Sequence, residues 1–313
     1  MSPRLPRLPE GSVVTVGAFD GLHAGHHEIL AEVVRRAQAT GRRGVLVTFE
    51  PHPAEVLRPE LAPERLTPPG ERAEILAQVG LDYLMVLRFD ALFASRSAEE
   101  FVRDVVVGRC GCRDLVVGHD HGFGRDREGG VDLLHRLGKE FGFTVDVIAP
   151  VEVDGQRVSS TRVRALVAAG RLAEAARCLG RPYTVSGVVE RGAGRGRELG
   201  VPTATLAVPG RKQLPPDGVY AVRVEWAGGV AAGMLNQGHR PTFDDGRRLL
   251  EAHLFGFDGT LYGRTVRVTW VTRLREVQRF GSVEALQAQL ELDRAAAVAA
   301  LAQAPGEQDH NRV

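Results

Sequence analysis

The stretch that decides the fold is Gly17-Ala-Phe-Asp-Gly-Leu-His-Ala-Gly-His26. It follows the apolar run Ser12–Val16 and leads into a segment whose apolar residues, at 29, 30, 33, 34 and 37, recur at helical spacing. The pattern predicts a strand, a tight turn and a helix. In such a turn glycines let the backbone approach a ligand closely, and the helix N-terminus offers unpaired N–H groups and a positive dipole end to a phosphate. The sequence therefore predicts an anion-binding turn at the start of an α/β fold.

The two histidines of this turn are the first candidate catalytic residues. His23 and His26 are three residues apart, so both rings can lie on one side of a bound anion and donate hydrogen bonds to charge that develops on a phosphoryl group. The alternative, a glycine-rich turn with incidental surface histidines, is disfavoured by the strand–turn–helix context. The turn resembles the H-x-G-H signature of nucleotidyltransferases. Class I aminoacyl-tRNA synthetases share that signature but also need a lysine-rich second motif, and lysine occurs here only at positions 139 and 212.

Composition restricts the partners and the compartment. The chain has 313 residues, enough for two domains, and its 40 basic and 39 acidic residues leave no charge excess that would favour a nucleic acid partner. The N-terminus lacks the apolar segment of a signal peptide, and no apolar run approaches the ~20 residues needed to cross a bilayer. Three cysteines without framework spacing fit a reducing compartment. We expect a cytoplasmic protein with small-molecule partners and no membrane or nucleic acid partner.

One pattern imitates a zinc site. Cys110 and Cys112 are followed by His119 and His121, which are four potential ligands within a short stretch. The residues between the pairs, 114–118, predict a buried strand, which would hold Cys112 and His119 roughly 20 Å apart at ~3.3 Å per residue. The sequence therefore disfavours zinc here.

The first half alternates predicted strands and helices. Strands are predicted at about 13–18, 44–49, 83–88, 114–118 and 144–149, and helices at about 25–39, 70–79, 97–107 and 130–141. This order predicts a parallel sheet with helices on both faces, which binds ligands at the carboxyl ends of its strands. Two further helices, at about 160–169 and 171–179, end this half before Gly180-Arg-Pro182 breaks the pattern.

After Pro182 the pattern changes to period two. Tyr220, Val222, Val224 and Trp226 alternate with other residues, and several such runs separated by Gly and Pro predict an antiparallel β-barrel. An alanine-rich amphipathic helix is predicted at about 282–302, packed on that barrel. We therefore predict a first domain at 1–181, a second at 182–304 and a tail at 305–313.

Three later segments of the first half should converge on the turn, because they follow predicted strands. These segments are Thr48–Pro53, Gly118–Gly124 and Val158–Arg164. The last offers hydroxyls, helix-end N–H groups and two guanidiniums, which together suit a polyphosphate. A serine-capped helix with solvated arginines is the alternative for that segment.

The second half carries its own candidate chemistry. The glycine- and arginine-rich loop Arg191–Arg197 can wrap phosphates with backbone N–H groups and guanidiniums. If 249–255 is a strand, Glu251 and His253 share one face and the apolar residues share the other. A carboxylate there can take the proton of a primary alcohol as it attacks a γ-phosphate, with Mg²⁺ neutralising the phosphates. The alternative is an ordinary glutamate on a half-exposed strand.

Together these motifs resemble bacterial bifunctional riboflavin kinase/FMN adenylyltransferases (FAD synthetases), over about residues 12–300. The first half matches G-x-F-D-G-x-H-x-G-H, T-F-x-P-H-P, G-x-D-x-x-F-G and S-S-T-R-x-R in this order. The second half matches G-R-G-R-E-L-G-V-P-T, P-D-G-V-Y, N-Q-G and E-A-H-L. The resemblance implies a Rossmann-like nucleotidyltransferase domain followed by a flavokinase barrel with a C-terminal helix. It also implies that Mg²⁺ assists and that ATP, riboflavin, FMN and FAD are the substrates and products, with self-association left open.

The resemblance also implies residue roles. His23 and His26 would stabilise the transferring α-phosphate, and Glu251 would be the base of the kinase step. Thr203 and Thr205 would lie at the metal. The implied cofactor-binding residues are Gly17, Phe19, Asp20, Gly25, His52, Asp120, Phe123, Ser160, Thr161, Arg164, Gly194, Arg195, Arg197, Pro202 and Asn236.

The chain departs from the family pattern at three positions. Ala18 stands where an asparagine is usual, His121 replaces an aromatic residue, and Thr205 replaces the asparagine expected near the kinase metal. A threonine hydroxyl is shorter than the asparagine side chain but can still ligate the metal or hold a water molecule. The rival hypotheses are an adenylyltransferase whose kinase half has lost activity and a flavin-sensing protein without turnover.

Overall fold

The computed structural model describes residues 11–119, 122, 124, 129–192, 202–208, 210–239 and 248–303. The chain divides by its internal contacts into two compact units, Met1–Ser160 and Thr161–Val313. This division falls earlier than the domain boundary that the sequence predicts after residue 181, which stays a prediction. No helix among the described residues is long and apolar enough to cross a membrane.

The first unit is built on a five-stranded parallel sheet. Its strands are β1 (Ser12–Val16), β2 (Arg43–Glu50), β3 (Tyr83–Arg88), β4 (Cys112–Gly118) and β5 (Thr144–Ile148), in the order β3-β2-β1-β4-β5, and a small hairpin follows as β6 (Glu152–Val153) and β7 (Gln156–Arg157). Its helices are α1 (Ala24–Thr40), α2 (Pro53–Leu57), α3 (Pro69–Leu76), α4 (Ala91–Ala94), α5 (Ala98–Phe101) and α6 (Val131–Phe141).

Apolar layers cover both faces of this sheet, as the sequence predicts. On one face Val14 and Val117 pack with Leu134 and Leu137 of α6. On the other face, side chains of β1 and β4 pack with α1, and those of β2 with α1 and α3. β1 lies in the middle of the sheet, between β2 and β4. The chain runs from β1 outward to β2 and β3 and then returns to β4 on the other side of β1. The turn after β1 therefore lies where the strand order reverses, which is where such folds bind ligands.

The predicted helix at 97–107 is interrupted. Ser97 begins it with a capping box, since its hydroxyl accepts a hydrogen bond from the N–H of Glu100 and the Glu100 side chain bonds back to Ser97. After α5 the chain continues as a π-helical turn, Val102–Val107, in which Val102, Val105 and Val106 are buried. Helical periodicity alone does not distinguish this wider turn from an α-helix, so the sequence analysis missed it.

The second unit starts with α7 (Ser160–Ala168) and α8 (Leu172–Leu179). It continues with β8 (Thr184–Glu190), β9 (Ala204–Ala207), β10 (Gly218–Trp226), β11 (Gly229–His239), β12 (Arg248–Leu254) and β13 (Thr265–Arg275), and ends with α9 (Val283–Gln303). The six strands close into a barrel in the order β10-β11-β12-β9-β8-β13, with every pairing antiparallel.

The barrel has two apolar layers. Tyr220, Val222 and Leu250 are fully buried, as the predicted alternation requires. On the opposite face of β10 and β11, Ala221 and Met234 pack against α9. This confirms the predicted barrel with its packed C-terminal helix.

Candidate active sites

The first site is the turn between β1 and α1. His23 is the residue before α1 and has an extended backbone (φ −78°, ψ 172°), and its side chain makes no capping hydrogen bond within the described part of the chain. Its carbonyl accepts the N–H groups of His26 and His27 at 2.8 and 3.0 Å. The first turn of α1, which the structure describes completely, holds no acidic residue. The positive end of the helix dipole is therefore not neutralised by the helix itself, which suits an anion.

The two imidazoles lie side by side, as their spacing predicts. The rings of His23 and His26 are stacked with centroids 3.7 Å apart and planes inclined by 16°, and the Phe19 ring lies 4.7 Å from that of His26. His23 is only 7% exposed. Because hydrogen bonds are stronger away from water, a pair of ring donors in this setting can stabilise charge on a phosphoryl group.

The backbone of the turn is strained. Phe19 and Leu22 have φ values of 49° and 45°, in the left-handed region that L-residues with side chains rarely adopt. A Cβ at Gly17 would lie 2.9 Å from the Phe19 ring, so only glycine fits there. Such strain costs on the order of 1–3 kcal/mol per residue and persists only where neighbouring contacts hold it.

Asp20 supplies part of that hold. Its carboxylate is 2% exposed and accepts the N–H groups of Leu66 and Thr67 at 3.1 and 2.9 Å and the Thr67 hydroxyl at 3.2 Å. In the structure Asp20 thus fastens the turn to residues 66–67. Its predicted contact with a cofactor stays a prediction.

The structure brings two further predicted residues to defined positions. Ser160, the last residue of the first unit, donates its hydroxyl to the Asp20 carbonyl at 2.8 Å. His52 precedes α2, and its Nδ1 accepts the N–H of Ala54 at 3.2 Å. Thr161 and Arg164 follow Ser160 on α7. Gly25 lies in the first turn of α1, where a Cβ would approach the His23 ring to 3.4 Å.

Six residues of the sequence analysis lie outside the described residues. They are Asp120, His121 and Phe123 after β4, and Gly194, Arg195 and Arg197 in the predicted phosphate loop. The roles given to them stay predictions.

Sequence reasoning missed the residues that hold this turn from the segment before and within α3, namely Leu66, Thr67 and Arg72. Arg72 on α3 is 3% exposed and donates to the carbonyls of Ala18 and Phe49 at 2.9 and 3.3 Å and to Glu50 at 3.1 Å. Burial lowers the pKa of Arg72, although the Glu50 carboxylate opposes that shift. No pattern in the sequence signals this role, since an arginine on a short helix is normally solvated.

The second site is a row of side chains on the outside of the barrel. Glu251 pairs with Asn236 on β11 and with Thr205 on β9. Directly paired residues point to the same face, so the three side chains are neighbours. Along β12, positions 250, 252 and 254 are buried while Glu251 and His253 are half-buried. This confirms the predicted alternation.

Thr205 is the buried member of the row. It is 5% exposed, and its hydroxyl has no hydrogen-bond partner among the described residues. A Cβ at Gly192 would lie 2.4 Å from that hydroxyl oxygen, so the backbone there crosses closely over it. An unpartnered hydroxyl oxygen beside the Glu251 carboxylate is a donor set that a hard cation such as Mg²⁺ prefers.

A small cavity of about 90 Å³ in the second unit is lined by Ala252 and Leu254 of β12, and not by Asn236, Glu251 or Thr205. It is also lined by Pro202, Thr203, Ala204 and residues of the segment Phe257–Tyr262, among others. His253 Nδ1 lies 2.9 Å from the Pro202 carbonyl, a contact that ties β12 to the predicted Pro-Thr motif. The structure therefore places Thr203 and Pro202 at a pocket and joins them to the strand of Glu251.

Comparisons with known proteins identify the family of each half of the chain. The FAD synthetase family model matches residues 5–162, and the riboflavin kinase family model matches residues 179–301. The bifunctional riboflavin kinase/FMN adenylyltransferase of Pseudomonas fluorescens is 43% identical over 288 residues, 92% of each chain, and that of Escherichia coli K12 is 40% identical over 286 residues, 91% of each. The crystal structure of a macrolide-efflux protein from Streptococcus pneumoniae has a TM-score of 0.83 at 34% identity, covering 93% of this chain and 95% of that one. The chain belongs to the bifunctional riboflavin kinase/FMN adenylyltransferase family.

Proposed function

We propose that this protein makes FAD from riboflavin in two ATP-dependent steps at two separate sites. At the barrel, ATP and riboflavin give FMN and ADP. At the turn between β1 and α1, ATP and FMN give FAD and diphosphate. The observation that carries the proposal is the stacked pair of His23 and His26 at the N-terminus of α1, with ring centroids 3.7 Å apart.

In the adenylyl transfer, an FMN phosphate oxygen attacks the α-phosphorus of ATP, and the bond to the β-phosphate breaks. His23 and His26 donate hydrogen bonds to the α-phosphate as its charge rises. Ser160, Thr161 and Arg164 hold the diphosphate that leaves. Because the attacking phosphate oxygen is already ionised, this step needs positioning and charge stabilisation rather than a base.

In the phosphoryl transfer, the primary alcohol of riboflavin attacks the γ-phosphorus of ATP. Glu251 accepts the alcohol proton, and ADP leaves. Thr203 and Thr205 would hold Mg²⁺, which when bound neutralises the phosphate oxygens. Asn236, which pairs with Glu251, lies where it can orient the alcohol or the carboxylate.

The cysteines have no part in either step. Burial raises the pKa of the Cys110 thiol to about 12 and that of Cys112 well above its ordinary value, so neither forms a thiolate near neutral pH. Transfer by direct attack, without a covalent enzyme intermediate, agrees with this.

We assign the adenylyltransferase to the domain 1–181 and the kinase to the domain 182–304, in a cytoplasmic protein whose partners are ATP and flavins. The first family match ends at residue 162, within α7, and the second begins at residue 179, the last residue of α8, which supports a boundary near these helices.

The test is a chromatographic assay of the full chain with riboflavin and Mg-ATP. We expect FMN to form first and FAD to follow. His26→Ala should stop the reaction at FMN, because loss of one donor to transition-state charge typically costs a factor of about 10²–10³. His135→Ala, which alters an exposed histidine on α6, is the matched control.

Each outcome of this assay is informative. An FAD yield from His26→Ala within about twofold of the control would contradict the histidine assignment. A parent chain that converts supplied FMN to FAD but makes no FMN from riboflavin would favour the rival hypothesis, in which the kinase half has lost activity. The replacement of the expected asparagine by Thr205 would then be the candidate cause.

A further inference from the structure

The segment Arg65–Arg72 belongs to none of the predicted motifs, yet six of its eight residues are buried, all except Pro69 and Gly70. Arg65, Leu66, Thr67, Glu71 and Arg72 are exposed by only 4, 0, 3, 6 and 3%. Polar and charged side chains are rarely buried unless they hold something in place. What this segment contacts is the strained turn after β1.

Thr67 holds the turn with a single hydroxyl. The hydroxyl accepts the N–H of Gly21 at 2.8 Å and lies 3.2 Å from the Asp20 carboxylate, to which it donates. The contact is close, because a Cβ at Gly21 would lie 2.7 Å from the Leu66 side chain. Two consecutive residues of the turn are therefore fixed by one side chain.

Arg72 holds the turn two peptide units earlier. Its guanidinium donates to the Ala18 carbonyl at 2.9 Å, and the Thr48 hydroxyl reaches the same oxygen at 3.3 Å. A trans peptide is planar, with its N–H opposite its C=O. Fixing the Ala18 carbonyl towards Arg72 therefore fixes the Phe19 N–H in the opposite direction.

The segment is itself anchored to the end of β2. Arg65 and Arg72 both donate to Glu50, at 2.8 and 3.1 Å, and Arg65 also donates to Glu55 at 2.5 Å. A carboxylate shared between two buried guanidiniums is held from both sides. The turn is thus connected through the segment to a rigid strand of the sheet.

We infer that Arg65–Arg72 is a bracket that positions the β1–α1 turn for adenylyl transfer, with Thr67 and Arg72 as its positioning residues. The inference rests on the proposed function of the first unit. Within the turn, Gly21 and Leu22 are consecutive and both have left-handed backbones. Such a conformation persists only where contacts with neighbouring residues hold it in place. A displacement of about 1 Å at a reacting group can cost about a hundredfold in rate.

The test compares Thr67→Val, which removes only the hydroxyl, with Thr67→Ser, which keeps it. We expect Thr67→Val to lower kcat for FAD synthesis from FMN by about 10- to 100-fold, with KM for ATP and FMN changed less than about threefold. Thr67→Ser should stay within about threefold of the parent. Phosphorylation of riboflavin by the same preparations should stay within about twofold.

The matched control is Thr144→Val, which removes another threonine–carboxylate hydrogen bond of the same sheet, the 2.7 Å bond to Asp114. A kcat for Thr67→Val within about threefold of this control would overturn the inference, and so would a Thr67→Ser variant as slow as Thr67→Val. If circular dichroism shows that Thr67→Val does not fold, Arg72→Lys decides. Lysine keeps the charge but has one nitrogen where Arg72 uses two, Nη1 for the Ala18 carbonyl and Nη2 for Glu50, so it does not reproduce the fork, and a kcat like that of the parent would refute the bracket.

His26→Ala is assayed in parallel, so that the two hypotheses fail separately. Undiminished FAD synthesis in His26→Ala would refute the proposed site. Loss of activity in His26→Ala together with full activity in Thr67→Val would refute the bracket alone.

Discussion

Exchange of Glu251 for glutamine tests the kinase mechanism with the least disturbance of the fold. Glutamine has almost the same shape as glutamate but cannot accept a proton as a carboxylate does. Glu251 is half-buried on the outer face of β12 and makes no ion pair with any residue that the structure describes. A substitution at such a position usually changes the free energy of unfolding by less than about 1 kcal/mol.

The expected effect on catalysis is much larger than this. Loss of a general base typically costs a factor of about 10²–10⁴ in rate. At about 1.4 kcal/mol per tenfold, the transition state for phosphoryl transfer is destabilised by about 2.8–5.6 kcal/mol. We therefore expect Glu251→Gln to lower FMN production by that factor while the Kd for riboflavin changes little.

The assay measures two rates on one purified variant: phosphorylation of riboflavin and adenylylation of supplied FMN. Only the first should fall, and Glu291→Gln, an exposed carboxylate on α9, serves as the control. A parallel fall of both rates would mean that the fold is damaged, and the assignment of the base would lose its support. If neither rate fell, the base would be another group, and His253 on the same strand face would be tested next.

Two further predictions concern the stability and reactivity of the chain. Asp293 on α9 is 3% exposed and accepts two hydrogen bonds from Arg275, at 2.8 and 2.7 Å. Asp293→Asn should therefore lower the free energy of unfolding of the second unit, measured by calorimetry, by about 3–5 kcal/mol. An unchanged melting temperature would contradict this prediction. Cys110, Cys112 and Cys178 are buried, and the raised pKa values of Cys110 and Cys112 keep those two thiols protonated up to high pH. A thiol reagent at pH 8 should therefore label the chain only after denaturation. Rapid labelling of the native protein would contradict this, because it would show that the core around these cysteines opens.

Local patterns predicted most elements of the first unit. The strand predicted at 83–88 is Tyr83–Arg88, and the helix predicted at 25–39 is Ala24–Thr40. Both carry a hydrophobic period bounded by turn residues, and such signals lie within one segment. The spacing of His23 and His26 likewise predicted that both rings can lie on one side, whereas their stacking is visible only in the structure.

The contacts that hold the first site could not be predicted in this way. Thr67 bonds Gly21 across 46 positions of sequence, and Ser160 bonds Asp20 across 140. These long-range hydrogen bonds depend on the tertiary path by which the chain returns to the sheet. The hydrophobic period within one segment carries no information about that path. Similarly, the period of β12 predicted that Glu251 faces outward, but only the register of the closed barrel shows that Thr205 is its neighbour.

The row on the barrel also has a consequence for how this enzyme can change over evolutionary time. Asn236, Glu251, Thr205 and Glu190 are paired in turn across four adjacent strands, about 4.8 Å from one strand to the next. Under the proposed metal site, an oxygen ligand lost from one strand could be supplied from the next without any change in the backbone, which would make a threonine at 205 tolerable. The histidine pair has no such reserve, because His23 and His26 project from a single helical turn. We therefore expect the sequences of the two halves to diverge at different rates. The proposed kinase face can exchange its oxygen ligands, whereas the adenylyltransferase turn must keep both histidines.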